Sequence, residues 1–403
     1  MKFFGHVFVY LLVALLTSCA ATPEKAPAPV EPAAPAPAQP PSPAPPPAAP
    51  EAETSPLYES GPPPPIVATP LPGAPPSGRA DRQIALILPL NSQSFGAAAE
   101  AVHDGFLAAA ATAQAATPVK VYPTGDSPDE ILAAYSQAVQ AGAQAIVGPL
   151  TRNGVTALAT SNLTVVPTLA LNAPETEIPL PRNVYLLGLQ AEAEARQAAR
   201  LAWSQGARNV LTIFGDTPLF KRVNQTFVDE WLQFGGTIAG TLPLIADPDG
   251  LLKLRDTAKA SGADAIFLAL DAKRARMVRP YLDSHVPTFA TSHVYSGRRE
   301  AILNHDLNGV RFMDSPWLVQ ADHPVVRNYP HADYPLPAEM DRLYALGIDA
   351  FRIAELLLQG SQPAKLDGVL GRITLNQANQ FERELTPAVI KQGEAVALEG
   401  VRR

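Results

Sequence analysis

The chain has 403 residues, 43 of them proline, a single cysteine and a formal charge of −7. That length can bury more than one core. A mildly acidic surface without a basic run or an aromatic-basic patch argues against nucleic acid as a partner, and one cysteine leaves no disulfide to form within the chain.

Lys2 gives a short basic start, and Val7 to Leu16 is an apolar run of signal-peptide length, too short to span a bilayer. It ends in Leu16-Thr17-Ser18-Cys19, which resembles a bacterial lipobox. Residues 1–18 are then the removed signal, and Cys19 is the lipidated first residue of the mature chain. A triacylated Cys19 anchors stably, because two or more chains suffice where one does not. Ala20 stands in place of the Asp that retains lipoproteins at the inner membrane. The expected address is therefore the outer membrane, facing the periplasm.

Residues 19–81 hold 22 of the prolines, interleaved with Ala. They carry too little large apolar surface to fold, and they favour an extended polyproline conformation. Such a tether reaches on the order of 180 Å when fully extended.

From Arg82 the pattern alternates strand and helix. Ile84–Leu90 is a continuous apolar run, as expected of a strand covered on both faces. A helix over Ala97–Ala113, a strand at Val119–Tyr122 and a helix over Pro128–Ala141 follow. Gly142 then suits a left-handed helix cap, Ala145–Val147 is a short buried strand, and Gly148-Pro149 ends it. Thr151 or Asn153 can cap the next helix, before strands at Val165–Leu171 and Val184–Leu187. The wind then restarts. Helices over Ala191–Gln205, Phe220–Phe234 and Leu251–Ala260 alternate with strands at Val210–Phe214, Thr237–Leu244 and Ala265–Leu270. Gly206 and Gly262 close helices as Gly142 does.

Pro287–Tyr295 reads as a strand running into a loop, Gly309–Met313 as a strand and Asp322–Pro337 as a loop. Ala338–Leu358 is an amphipathic helix, and Arg372–Leu375, Phe381–Leu385 and Val396–Leu398 form an antiparallel finish. The expected class is α/β, with two lobes that are each a mostly parallel sheet flanked by helices. The first lobe is assigned residues 82–187 and 295–362, and the second residues 188–294 and 363–403.

No Gly-x-Ser-x-Gly elbow, His-Glu-x-x-His or P-loop occurs, and no Gly-x-Gly-x-x-Gly follows the first strand. The histidines lack paired metal-ligand spacing. Binding is therefore expected over catalysis, with no metal and no cofactor. Ligands of parallel sheets sit beyond the carboxyl ends of the strands. Turn residues there that can line a cleft are Gly148, Thr151, Asn172, Asp216, Thr217, Phe220 and Tyr295. Each also has a plainer role, as a helix cap, a loop residue or a packed ring.

Several stretches carry a family resemblance. The Ile84–Leu90 strand, Asp104-Gly-Phe106, the Ile146-Val-Gly-Pro149 turn and the Val210–Phe214 strand resemble type I periplasmic binding proteins. Ile84-Ala-Leu-Ile-Leu-Pro-Leu-Asn91, Val119–Tyr122, Val147-Gly-Pro-Leu150, Asp314-Ser-Pro-Trp-Leu318, Arg342-Leu-Tyr-Ala-Leu-Gly-Ile-Asp-Ala-Phe351, Gly371–Asn376 and Glu382–Leu385 together resemble the C-terminal domain of the LpoA family. Those are outer-membrane lipoproteins that activate class A penicillin-binding proteins, the inner-membrane peptidoglycan synthases. The resemblance implies a two-lobed, non-enzymatic domain that binds such a synthase. Well-known members carry a helical-repeat domain before this one; here a proline-rich tether stands in that place, so the reach falls to the tether. The alternative is a lipid-anchored receptor for a small amino-acid-like solute.

Overall fold

The computed structural model describes residues 83–114, 117–361 and 365–398. Cys19, the signal segment and the proline-rich stretch lie outside them.

In the first lobe, β1 (Gln83–Leu88) is buried along almost its whole length and lies between β2 (Val119–Pro123) and β3 (Ala143–Val147), parallel to both. β4 (Thr168–Ala170) and β5 (Val184–Leu186) extend the sheet on the β3 side, giving the order β2-β1-β3-β4-β5. The connecting helices are α1 (Gly96–Thr112), α2 (Pro128–Gln140) and α3 (Arg152–Thr160). Strands covered on both faces need no polar alternation, which is why β1 reads as an unbroken apolar run.

The second lobe repeats this wiring. α4 (Ala191–Ser204), β6 (Asn209–Phe214), α5 (Pro218–Gln233), β7 (Thr237–Pro243), α6 (Pro248–Ala260), β8 (Ala265–Ala269), α7 (Ala272–Val278) and β9 (Thr288–Ala290) follow in turn. The one-turn helix α8 (Ala301–Asn304) precedes β10 (Arg311–Asp314). Strand order β7-β6-β8-β9-β10 mirrors the first sheet, and all these neighbours are parallel. Gly142, Gly206 and Gly262 have φ of +90°, +94° and +63°, the left-handed conformation expected where each helix hands over to a strand.

Late elements complete both lobes. After α9 (Pro316–Val319), helix α10 (Ala338–Leu358) packs against α1. The two backbones touch where glycines face them: a Cβ at Gly105 would overlap the Tyr344 carbonyl, and one at Gly347 the Val102 carbonyl. Phe106 and Phe351 meet edge to face beside this contact, centroids 5.3 Å apart. β11 (Lys365–Gly368), β12 (Gly371–Leu375) and β13 (Phe381–Glu384) form a separate antiparallel sheet. β14 (Thr386–Lys391) and β15 (Glu394–Ala397) are a hairpin that joins the second sheet beside β10.

The late segments divide differently from the boundaries expected from sequence. Arg311–Asp314, assigned to the first lobe, pairs with β9 and β14 and buries Phe312 in the second core. Residues 365–384, assigned to the second lobe, pack on the first: Val369, Leu370, Ile373 and Phe381 share a core with Leu187 and Tyr185. Alternation along β12 and β13 points Ile373 and Phe381 inward, and Val369 and Leu370 are buried in the turn before β12. The chain crosses between lobes after β5, after β10 and after β13. Pro287–Tyr295 is also shorter as a strand than expected, because Ser292–Val294 forms a 3-10 turn.

Candidate functional site at the lobe junction

A cleft of about 760 Å³ lies between the lobes. From the first lobe it is lined by the segment running from Asn172 to Leu180, and from the second by Leu219, Arg222 and His293. The segment is tied down at its start. Arg152, in the first turn of α3, donates to the carbonyls of Pro174 and Glu175 at 2.8 and 3.2 Å, and the Glu175 N–H donates to Thr156 Oγ1 at 2.9 Å. Across the cleft, Arg222 Nε donates to Glu192 Oε1 at 2.9 Å. Burial alone would raise the Glu192 carboxyl, but the Arg222 hydrogen bond and charge outweigh it and hold the group below its ordinary range. The wall is therefore polar, with the two guanidiniums of Arg152 and Arg222 and the carboxylates of Glu175, Glu177 and Glu192, the last of them ionised at neutral pH.

Of the residues expected in such a cleft, Asn172 lines it, with its amide donating to the Leu150 carbonyl at 3.1 Å. Gly148 and Thr151 lie beneath, at the carboxyl end of β3. A Cβ at Gly148 would overlap the Ile87 carbonyl, so this glycine serves the close approach of two strands. Thr151 is 4% exposed and starts α3 without a side-chain cap bond; its hydroxyl finds no partner among the described residues. Asn153 instead accepts from the Gly154 N–H.

Thr217 caps α5 by accepting from the Phe220 N–H at 3.3 Å, and the buried Phe220 ring meets His293 edge-on. Phe220 thus reaches the cleft only through His293. The Asp216 side chain is 80% exposed and stands 3.6 Å from Arg274, away from the cleft lining. Tyr295 does not line the cleft: it is 1% exposed and packs on Phe312 in the second core. Sequence reasoning missed Arg152, Glu192, Arg222 and His293. Arg152 adjoins the turn that drew attention, whereas Glu192 and Arg222 carry no local pattern that pairs them.

Behind the cleft, charged side chains bridge the lobes. Arg342 of α10 donates from Nε to both Asp314 carboxylate oxygens and from a terminal nitrogen to Oδ2 at 2.7 Å; that nitrogen also reaches the Ser292 and Tyr295 carbonyls. The two side chains are only 9% and 2% exposed. Burial lowers the Arg342 pKa, yet the Asp314 charge more than offsets it, so the guanidinium is held above its ordinary value. A second pair adjoins it. Arg383 of β13 stands 3.7 Å from Glu194 of α4 and donates to the Gly188 carbonyl at 2.9 Å, while Glu194 accepts from the Ser292 N–H at 3.1 Å. Here burial wins, and the Arg383 pKa is lowered despite Glu194. Both pairs fix a first-lobe element to the second lobe.

No group of His, Cys, Asp and Glu suited to a metal ion occurs among the described residues, nor a helix long and apolar enough to cross a membrane. The arrangement offers polar recognition in the cleft and a charge-locked junction behind it.

Solved structures share the fold. A protein from Chromobacterium violaceum, named a putative branched-chain amino acid ABC transporter, superposes with TM-score 0.67 at 35% identity, covering 76% of this chain and 99% of that one. The C-domain of LpoA (YraM) from Haemophilus influenzae, named a regulator of PBP1A, gives TM-score 0.64 at 23% identity over 78% of this chain and 99% of that one. Among curated proteins, the penicillin-binding protein activator LpoA of Edwardsiella piscicida is 28% identical over 324 residues, covering 70% of this chain and 46% of that protein. The chain thus spans about half the length of the curated relatives it matches. The family described as "LppC putative lipoprotein" matches residues 79–242 and 248–393, and the chain belongs to that LppC lipoprotein family.

Proposed function

We propose that this protein is an outer-membrane lipoprotein, anchored through Cys19 and facing the periplasm, that binds and activates a class A penicillin-binding protein without catalysis of its own. The observation that carries the reading is the set of curated relatives named penicillin-binding protein activator LpoA, the first of which matches across 70% of this chain. The junction supports it. Two buried ion pairs tie the lobes together, which suits a docking platform more than a trap that closes on a solute. Residues 19–81 supply the reach from the anchor. Adding the purified lipoprotein to a class A synthase is expected to raise glycan polymerisation and crosslinking, and the pair is expected to co-purify. Unchanged rates together with no co-purification overturn the reading. Mass spectrometry of the mature protein tests the anchor, with an acylated Cys19 as the expected N-terminus.

A second reading is favoured by the 35%-identical structure named for branched-chain amino acid transport and by the polar cleft. In that reading the protein is a lipid-anchored receptor for an amino-acid-like solute, held near Asn172, Arg152, Arg222 and His293, with Gly148, Thr151, Thr217 and Phe220 shaping the walls. Calorimetry with leucine, isoleucine and valine decides it: saturable binding that Arg222→Gln weakens supports a receptor, and heats no larger than dilution reject it.

A further inference from the structure

A second cavity, of about 580 Å³, lies between α4 and the β13–β14 crossing, and adjoins the cleft at Gln190 and Gln380. Its apolar surface comes from Leu201, Met313, Phe381, Leu385 and Pro387, which belong to both lobes and to the crossing itself. Five charged residues line it, and four are engaged. Arg200 pairs with Glu230 at 2.9 Å, and Arg383 with Glu194. Glu384 pairs with Arg372 at 3.3 Å, and Glu382 accepts from Asn376 at 2.9 Å. Gln197 is used at both ends, donating to the Arg383 carbonyl and accepting from the Leu385 N–H.

Arg196 is different. It is half-buried at the cavity wall and has neither an ion pair nor a hydrogen bond among the described residues. A guanidinium at a cavity wall with no ion pair of its own favours an anion, and a carboxylate matches its donor fork. Concave, largely apolar sites with a few convergent polar groups are the usual form of small-molecule sites.

The geometry points to a binding site for a small amphipathic carboxylate, its apolar body against Leu201, Met313, Phe381 and Leu385 and its carboxylate on Arg196. None of these five residues lines the interlobe cleft, so the site can be tested apart from it and without a synthase partner.

Calorimetry with octanoate, and with octyltrimethylammonium as the cation of matched tail, tests it on the whole protein. Octanoate is expected to bind saturably at one site and to raise the thermal midpoint with concentration, while the cation does neither. Arg196→Gln should weaken octanoate about tenfold or more, the loss of a charge-assisted hydrogen bond, and Arg196→Lys, which keeps the charge but not the fork, should fall between Arg196→Gln and the parent. Arg222→Gln, in the other cavity, should leave it unchanged. No saturable octanoate binding, equal binding of the cation, or an affinity that Arg196→Gln leaves intact overturns the site. So does loss of binding in Arg222→Gln alone, which places the ligand in the cleft.

Discussion

Asp314, at the end of β10, and Arg342, in α10, hold each other at 2.7 Å across the junction of the lobes, both nearly excluded from water. Removing one partner leaves the other charged and buried, which costs about 3–5 kcal/mol. Arg342→Met and Asp314→Leu are therefore each expected to lower the urea midpoint severely. The double variant should recover a large part of the loss, because two apolar residues leave no orphan charge. Additive losses would show that the pair is not coupled.

Gly347→Ala tests the contact between α1 and α10. The new Cβ falls on the Val102 carbonyl and close to the Phe106 amide, both backbone, so no side chain can rotate away. The helices must separate, at about 1–3 kcal/mol. The expected readout is a lowered thermal midpoint with the urea m-value unchanged.

Asp341 gives a pH signature. Burial raises its pKa above the ordinary aspartate value, although the Trp317 Nε1–H donates to it at 2.7 Å. A carboxyl raised on folding adds stability that is fully present below its unfolded pKa, about 3.9. That contribution is lost as pH rises through the folded pKa. Asp341→Asn keeps an acceptor for the indole and removes the buried charge. Its stability relative to the parent should therefore improve between acid and neutral pH, measured as urea midpoints across that range. A difference that is flat with pH would refute the assignment.

Asp271 caps α7, accepting from the Arg274 N–H at 2.8 Å and pairing with the Arg274 side chain. Asp271→Ala is expected to cost about 0.5–2 kcal/mol. The loss should appear as faster amide exchange at the start of that helix as well as in the global midpoint.

The wiring was legible because it depends on local features. Helix-closing glycines at 142, 206 and 262 and continuous apolar strands announce a parallel wind wherever they occur. The late segments were not, because their place depends on partners far away. Arg311–Asp314 reads as a strand from its own residues, but only the arrival of Thr386–Lys391 beside it places it in the second lobe. The antiparallel finish was seen without Lys365–Gly368, whose short polar sequence carries no strand signal. Of the turn residues that strand-end position singles out, Asn172 lines the cleft, whereas Gly148 and Thr151 are not among its lining residues. Arg222 and Glu192 meet only through the packing of α5 on α4. Tyr295 misled because an aromatic after a strand reads equally as a cleft wall or as core, and here the core takes it.

The close approach of α1 and α10 at Gly105 and Gly347 also bears on the order in which the protein can fold. α1 is made early, yet the helix that Gly105 fits against ends at Leu358, and the hairpin that finishes the second sheet ends at Ala397. As the chain emerges from N- to C-terminus, the first sheet lacks its α10 cover and the second keeps an open edge at β10 until the last quarter arrives. A nascent chain arrested before Ala338 should therefore be protease-sensitive in both lobes at once, and resistance should appear only when the final hairpin is out.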